Sequence, residues 1–411
     1  MTAFMSMGLI AGPITTAYAA ASPCALPRTD AHHSLGVDSW DASYPRPRGA
    51  VDAAMVFLSF PDAQPMTTPR QLTADHFPAT SDFFRRVSYG AFDLRAHPDN
   101  RWTQMPRSST AYGIQRDWGQ EQRTQYLRDA IAAADPHIDF SRYDFVYLVA
   151  DPDAPGVNPD ATKVVNLDEP LEADGKDLNR MVTVFEQTPP DRNVLAHETG
   201  HIFDLPDLYR RPTDGTGDWD TYVGDWDLMG SQFGLSPDPF GWDKWKLGWL
   251  DRRNVTCFPA GKGSDAATLR PLGDRRLGGA GDRRLAVLRT GPTEALVMEA
   301  REPQGPDSAS CGRGVLLYWV RSDRPSTEGP VKVIDGHPRT DGCPASAVLP
   351  RLADAPLSTG ESYATRHGGG IRVEVTGRSE NGGWNIRVTR GGLPSSVPDT
   401  GVNAAGMPPV R

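Results

Sequence analysis

In its first half the chain alternates short apolar runs with polar, helix-forming segments. Three runs have the length and composition of buried β-strands, at residues 54–60, 145–149 and 181–185. Residues 119–134 are instead rich in helix-forming side chains. Such alternation favours a mixed sheet with helices packed on it. We therefore expect an α+β domain over residues 49–255.

After residue 250 the helical pattern stops, and short apolar runs alternate with clusters of Gly, Pro and Asp. These runs occur at residues 285–288, 295–299, 315–320 and 384–388. Short strands separated by turn residues are typical of β-sandwiches. We expect a β-sandwich-like domain over residues 256–390, and a tail at 391–411 whose composition predicts disorder.

The N-terminus indicates where the protein works. Residues 1–19 are mostly small and apolar and end in an A-x-A site, which predicts a secretory signal peptide and an extracellular protein. The usual basic region is missing, since the first Lys or Arg is Arg28. A start codon assigned too late is one hypothesis, and an ordinary hydrophobic N-terminus is the alternative. Residues 20–48 form a polar extension, and no later stretch has the roughly 18 apolar residues of a membrane span.

The charge of the chain gives no indication of nucleic-acid binding. Its 411 residues carry 43 Lys and Arg against 52 Asp and Glu, for a net charge of −9, and the basic residues are scattered. Nucleic-acid binding needs them clustered in a patch. The 41 Gly and 37 Pro indicate a chain rich in turns and not a helical bundle. We expect a monomer.

The chemistry of the chain is concentrated in the stretch 197–209, which reads HETGHIFDLPDLY. On a helix, His197 and His201 lie on one face, where two imidazoles can bind one zinc ion. Glu198 projects beside that metal, and Asp207 follows where a turn out of the helix can return a third ligand. The fourth position stays open, which is typical of catalytic zinc. The pattern predicts a zinc hydrolase acting on proteins or peptides; a surface helix with two unrelated histidines is the alternative.

These residues resemble the immune-inhibitor-A-like family of secreted bacterial metalloproteases, a branch of the metzincins. The metzincin pattern is H-E-x-x-H-x-x-G-x-x-H followed by a methionine turn. In the immune-inhibitor-A-like family the last ligand is Asp, which lies within a Leu-Pro-Asp-x-Tyr run. Residues 205–209 match that run, and Met229 falls where the methionine turn is expected. Residues 83–90 and 240–250 resemble further segments of the family's catalytic domain. The resemblance covers most of residues 50–250 and implies a zincin-like fold with one catalytic zinc.

In such a site Glu198 takes the proton of the metal-bound water and returns it to the leaving amine. The developing oxyanion needs a further donor, for which Tyr209 and Tyr222 are candidates, although either phenol could equally pack in the core. Met229 is expected to support the ligands by packing, because its thioether is a soft ligand poorly matched to this metal. In the family, the strand before the zinc helix, here residues 181–185, borders the cleft, where an extended substrate can pair with its edge.

One residue departs from the family's pattern. Asp204 stands where the pattern has Gly, and a left-handed Asp costs roughly 1–2 kcal/mol. We expect the turn to survive this substitution. The competing interpretation is a catalytically inactive copy that serves as a binding or adhesion protein. A third interpretation is a zincin whose third ligand lies further downstream, at Asp220 or Asp225, with Asp207 structural.

The four cysteines are typical of an exported protein with disulfide bonds. They can pair in three ways, of which we favour Cys311–Cys343 together with Cys24–Cys257. The second bond would tie the N-terminal extension to the end of the α+β domain. No C-x-x-C pair is present, so a cysteine zinc site is not expected. The alternative for Cys24 is a thiolate that binds the metal and keeps the enzyme latent.

Calcium is a second candidate cofactor. Asp-rich loops occur at residues 151–160 and 214–220, and carboxylates are the ligands that calcium prefers. Neither loop has the spacing of an EF-hand, and solvated turns are the alternative for both.

Overall fold

The computed structural model describes residues 22–32, 35–191, 193–212, 216–275, 277–279 and 281–391. The predicted signal peptide and the predicted tail from residue 392 lie outside these residues.

The helices are α1 Pro69–His76, α2 Ala79–Val87, α3 Gln120–Ala134, α4 Val194–Ile202, α5 Gly241–Lys246 and α6 Pro350–Ala353. The strands are β1 Gly49–Ser59, β2 Phe92–Gln104, β3 Phe145–Ala150, β4 Lys163–Ala173, β5 Lys176–Val184, β6 Val255–Phe258, β7 Gly263–Leu269, β8 Leu285–Arg289, β9 Glu294–Arg301, β10 Gly314–Arg321, β11 Val331–Val333, β12 Ser362–Thr365, β13 Ile371–Arg378 and β14 Trp384–Arg390. They form three sheets, which is compatible with the predicted α+β class.

The first sheet is mixed and has the strand order β2-β1-β3-β5-β4. β2, β1, β3 and β5 run parallel, whereas β4 is antiparallel to β5 and forms one edge. The three predicted strands correspond to β1, β3 and β5. The two edge strands were missed because an edge strand is only partly buried, and its polar side chains blur the apolar pattern.

Helices cover both faces of this sheet. On one face the apolar side of α3, with Tyr126, Leu127 and Ile131, packs on Val56 and Leu148. The opposite face packs against α2, α4 and the loops that follow α4. Because neighbouring residues of a strand point to opposite faces, a strand buried on both faces is apolar throughout.

The second sheet, β11-β10-β9-β8-β6, is buried on both faces as well. Leu285 and Val287 of β8 belong to the core that also contains the α4 region. Their neighbours Ala286 and Leu288 face the third sheet, β12-β13-β14-β7, across a separate apolar layer. Two sheets facing each other across such a layer form the expected sandwich-like arrangement. The core is therefore continuous across residue 255, where the sequence predicts a domain boundary.

The N-terminal segment is fastened to this shared core. The indole Nε1 of Trp242 donates to the carbonyl of Val37 at 2.7 Å, and that of Trp249 to the carbonyl of Pro47 at 2.7 Å. Cys24 is bonded to Cys257. A second disulfide joins the remaining two cysteines, Cys311 and Cys343, so both predicted pairings are confirmed. Among the described residues, no helix has the length and apolarity needed to cross a membrane.

Candidate metal centre

Helix α4 carries the first half of the site. It begins after Asn193, and its residues His197 and His201 lie one turn apart with both rings buried. The Nδ1 atom of His197 is 2.9 Å from the carbonyl oxygen of Leu228, and that of His201 is 2.7 Å from the carbonyl oxygen of Leu205. Because a carbonyl can only accept, each Nδ1 carries the proton and donates it. When a ring is neutral, its Nε2 therefore presents a lone pair, as a metal ligand must.

The turn after α4 brings in a third group. As predicted, Asp204 lies in the left-handed region, with φ 72°. The chain reverses there, and Asp207 Oδ1 comes to 3.2 Å from His197 Nε2 and 3.1 Å from His201 Nε2. The ligand atoms of these three residues lie within 4.8 Å of one another, and no other such group of His, Cys, Asp or Glu occurs among the described residues.

The Asp207 carboxylate and the imidazoles of this group shift one another's pKa. Partial burial raises the pKa of the Asp207 carboxyl, but the imidazoles of His201 and His197 hold it well below its usual range. Burial lowers the pKa of His197, and the contact with Asp207 more than reverses this, to about 9. Asp207 Oδ1 is buried and has no donor in hydrogen-bond geometry. Together, the two imidazole nitrogens and this carboxylate oxygen are a set of ligands that fits a zinc ion.

Glu198 lies beside the metal group, at the edge of the first sheet. Its Oε2 accepts a hydrogen bond from the backbone N of Val164 at 2.7 Å. Val164 belongs to β4, so β4 borders the site, whereas β5, which ends at Val184, lies one strand further in. The expectation that residues 181–185 border the cleft is therefore wrong. The hairpin between β4 and β5 places β4 outside β5, and its polar sequence concealed it.

Two cavities meet at the metal group. The larger, of about 580 Å³, extends towards Trp219 and Phe233. The smaller, of about 260 Å³, extends towards Lys163 and Arg211. Both are lined by His197, Glu198 and Tyr209 among others. A bound polypeptide lying across the site would extend into both cavities.

The two candidate oxyanion donors have different surroundings. The Tyr209 ring stacks on His197, with centroids 6.3 Å apart and planes at 20°. Burial raises the pKa of its phenol, and the carboxylate of Asp207 raises it further, so the hydroxyl keeps its proton as a donor must. Tyr222 lines neither cavity, and its ring lies 4.6 Å from the Lys332 ammonium. The structure thus brings Tyr209 to the site and leaves Tyr222 outside it.

The downstream aspartates also lie apart from the histidines. Asp220 lines the larger cavity but is not in the ligand group. Asp225 is buried, and its Oδ1 accepts from the backbone N atoms of Leu235 at 3.0 Å and Val348 at 3.2 Å. These contacts fix a loop and leave this carboxylate no free approach to a metal. The geometry favours Asp207 as the third ligand.

Met229 packs against α4 at Gly200. Asp227 Oδ1 accepts from the Met229 backbone N at 2.6 Å and closes a tight turn. The Met229 side chain is fully buried, and a Cβ added to Gly200 would lie 2.6 Å from its sulfur. The carbonyl of Met229 also accepts from the N of Leu208, next to Asp207, at 2.9 Å. The turn therefore contacts α4 by side-chain packing and the Asp207 segment by a backbone hydrogen bond.

The candidate calcium loops have other contacts. Asp151 Oδ1 accepts from the backbone N of Asp153 at 3.1 Å, and Asp153 Oδ2 accepts from the N of Met66 at 3.0 Å. In the second loop, Asp218 Oδ1 accepts from the N of Asp220 at 3.0 Å. Within the part of the chain that the structure describes, neither loop gathers three carboxylates around one point. Hydrogen bonds from backbone N atoms to Asp side chains are typical of turns, so these loops have the contacts of turns.

No protein-family model matches the chain, and no curated protein matches it. The resemblance to immune-inhibitor-A-like proteases thus rests on the motifs quoted above.

Proposed function

We propose that the protein is a zinc-dependent endopeptidase. The observation that carries the proposal is the convergence of two imidazole Nε2 atoms and Asp207 Oδ1 between two cavities, with Glu198 beside them. Three protein ligands leave a position open for water or substrate. A structural zinc site would instead be closed by a fourth protein ligand.

Zinc bound there would polarise a peptide carbonyl and lower the pKa of a bound water. The protein's own groups supply the rest of the chemistry. Glu198 would accept a proton at its carboxylate and pass it to the leaving amine. Tyr209, which is protonated and adjacent to Asp207, would donate to the developing oxyanion. The carbonyls of Leu228 and Leu205 hold both imidazoles in the tautomer that binds metal.

The edge strand supports a polypeptide as substrate. β4 is the last strand of its sheet, and its backbone reaches Glu198 through Val164. An exposed edge binds an extended peptide through main-chain hydrogen bonds, whatever the side chains. The two open cavities that share His197 and Glu198 in their lining leave room for a peptide that extends beyond the metal group, as an endopeptidase requires.

Hydrolysis of casein by the purified protein tests the proposal. We expect the zinc-loaded wild type to cleave casein, 1,10-phenanthroline to stop it, and added zinc to restore it. Glu198→Gln should bind zinc and lose activity by a factor of at least about 100, because the proton acceptor is gone. Glu169→Gln is a matched control, since Glu169 is an exposed carboxylate of β4 that lines neither cavity.

Three outcomes would overturn the proposal. Equal cleavage by wild type and Glu198→Gln would assign the activity to a contaminant. A wild type that binds zinc but cleaves no unfolded protein would favour the alternative, a binding or adhesion protein built on a protease scaffold. Failure to bind zinc at all would remove the basis of both the mechanism and the ligand assignment.

A further inference from the structure

The smaller cavity has a wall of cations. Lys163, Arg211 and Arg116 all line it, together with two carboxylates outside the metal group, those of Asp160 and Glu198. Lys163 is the first residue of β4, Arg211 follows the Asp207–Tyr209 run, and Arg116 precedes α3. Three separate segments therefore contribute positive charge to one side of the candidate metal centre.

Lys163 makes no close ion pair with a described residue, although the charges of Glu198 and Asp207 act on it. Among the described residues, its ammonium forms no ion pair and donates no hydrogen bond. The side chain is half-buried, and burial lowers its pKa; the charge of Arg211 lowers it further. A partly buried cation beside another cation is an unfavourable arrangement, which an anion between them would relieve.

The two arginines are held in position beside it. Arg211 forms an ion pair with Asp117, and the Arg116 guanidinium lies 4.9 Å from the centre of the Trp219 ring. A guanidinium has five N–H donors, so each arginine keeps donors for a further acceptor. Glu198 and Asp207 are acidic groups whose charges act on Lys163, and a bound metal ion would take up their negative charge. When the centre is loaded, the three cations of the wall have the carboxylates of Asp117 and Asp160 beside them, so the wall keeps an excess of one positive charge.

We infer that this wall, formed by Lys163, Arg211 and Arg116, is a subsite for a carboxylate of the bound peptide. The inference rests on the proposed function, because a peptide along β4 passes Lys163 at the start of that strand. The carboxylate can belong to a Glu or Asp side chain or to the C-terminus of the substrate. Leu35, which lines the same cavity, offers apolar contact to the methylene groups of such a residue.

Peptide binding tests the inference without relying on turnover. The zinc-loaded full chain with Glu198→Gln is titrated into fluorescein-labelled peptides, and anisotropy gives Kd. One set carries a single Glu moved along a Gln-containing, amidated peptide, and the other compares a free C-terminal carboxylate with the amide. We expect Glu at one position, or the free carboxylate, to bind about tenfold more tightly than its neutral counterpart. The gain should shrink as salt is raised.

Variants then assign the gain to the wall. The gain is the Kd of the neutral peptide divided by the Kd of the acidic peptide. Lys163→Met should reduce this ratio to below about twofold, whereas Lys163→Arg should keep most of the gain. Arg211→Gln should lower it in part, and Lys262→Met, at an exposed lysine that lines neither cavity, should leave it unchanged. An internal Glu preference identifies the side chain as the ligand, and a free-carboxylate preference identifies the C-terminus. No acidic preference, or one that persists in both Lys163→Met and Arg211→Gln, overturns the inference.

The two proposals fail separately. A preference that depends on Lys163 in a protein without peptidase activity would contradict the endopeptidase and keep the carboxylate subsite. If the wild type hydrolyses peptides but shows no preference for acidic peptides in binding, the endopeptidase is kept and the carboxylate subsite is contradicted.

Discussion

Asp204 and Lys246 form a buried ion pair, with Oδ2 2.9 Å from Nζ. Both side chains are almost completely shielded from solvent. The same Asp204 oxygen accepts a hydrogen bond from the backbone N of Asp41 at 2.9 Å, and Lys246 also donates to the carbonyls of Gly36 and Asp204. The residue that replaces the expected Gly thus joins the end of α4 to α5 and to the N-terminal segment.

Asp204→Gly should destabilise the protein despite restoring the residue of the metzincin pattern. Glycine relieves the left-handed strain of roughly 1–2 kcal/mol. Removing one partner of a buried ion pair costs about 3–5 kcal/mol, because the other charge is left buried. The loss therefore exceeds the gain, and we expect the free energy of unfolding to fall by about 2–3 kcal/mol in denaturant titrations.

The double variant Asp204→Gly with Lys246→Met is the control for this prediction. It removes both charges, so its destabilisation should be smaller than the sum of the two single effects. If Asp204→Gly is at least as stable as the wild type, the ion pair contributes no net stability, and the strain at Asp204 dominates.

Part of this arrangement is predictable from sequence, because it depends on local spacing. The i, i+4 histidines, the position of Asp207 and the left-handed turn at Asp204 follow from residues within a dozen positions of one another. Met229 lies further along and required the resemblance to a family. The ion pair of Asp204 with Lys246 is not predictable in this way, since nothing local to either residue indicates the other.

Other features were missed for reasons of packing. β4 carries Lys163 and Val164 to the site, but its partly polar sequence does not have the pattern of a buried strand. The cationic wall combines Arg116, Lys163 and Arg211, whose spacing along the chain carries no signal. The apolar run at residues 285–288 predicted a strand correctly. The sequence did not predict that one face of this strand packs in the core shared with the α4 region.

Replacement of Asp207 should abolish high-affinity zinc binding. Asp207→Ala removes the oxygen that lies 3.2 and 3.1 Å from the two imidazoles, so we expect the Kd for zinc to rise at least about 100-fold. Asp220→Ala is the matched control, because Asp220 lines the larger cavity without joining the ligand group. Competition with a chromophoric chelator measures both affinities. Zinc lost in Asp220→Ala but retained in Asp207→Ala would establish the downstream ligand instead.

Loss of the Cys24–Cys257 bond should cost more stability than loss of Cys311–Cys343. The first bond closes a separation of 233 residues and the second one of 32. Chain entropy in the unfolded state predicts contributions of about 5 and 4 kcal/mol respectively. Paired Cys→Ala variants compared in denaturant should show this order. The reverse order would mean that packing around Cys311 and Cys343 outweighs the chain entropy, and would contradict the prediction.

His76 should make the protein less stable in mild acid. It is the last residue of α1, and burial lowers the pKa of its imidazole from 6.5 to about 4. Between these values the unfolded chain binds a proton that the folded chain does not, so stability falls as the pH drops from 6.5 towards 4. The cost reaches about 3 kcal/mol at pH 4. Relative to wild type, His76→Gln should therefore gain stability over this range in unfolding titrations.

His337 provides a control of opposite sign. Burial lowers the pKa of His337, but the carbonyl of Asp354 and the carboxylate of Glu361 raise it above 6.5 overall. Protonation therefore stabilises the folded state; this contribution is fully present below pH 6.5 and is lost as the pH rises through the folded pKa. His337→Gln should consequently lose stability relative to wild type as the pH falls towards 6.5. Parallel curves for wild type and both variants would show that neither histidine is linked to folding, because a pKa shift without a stability slope is thermodynamically impossible.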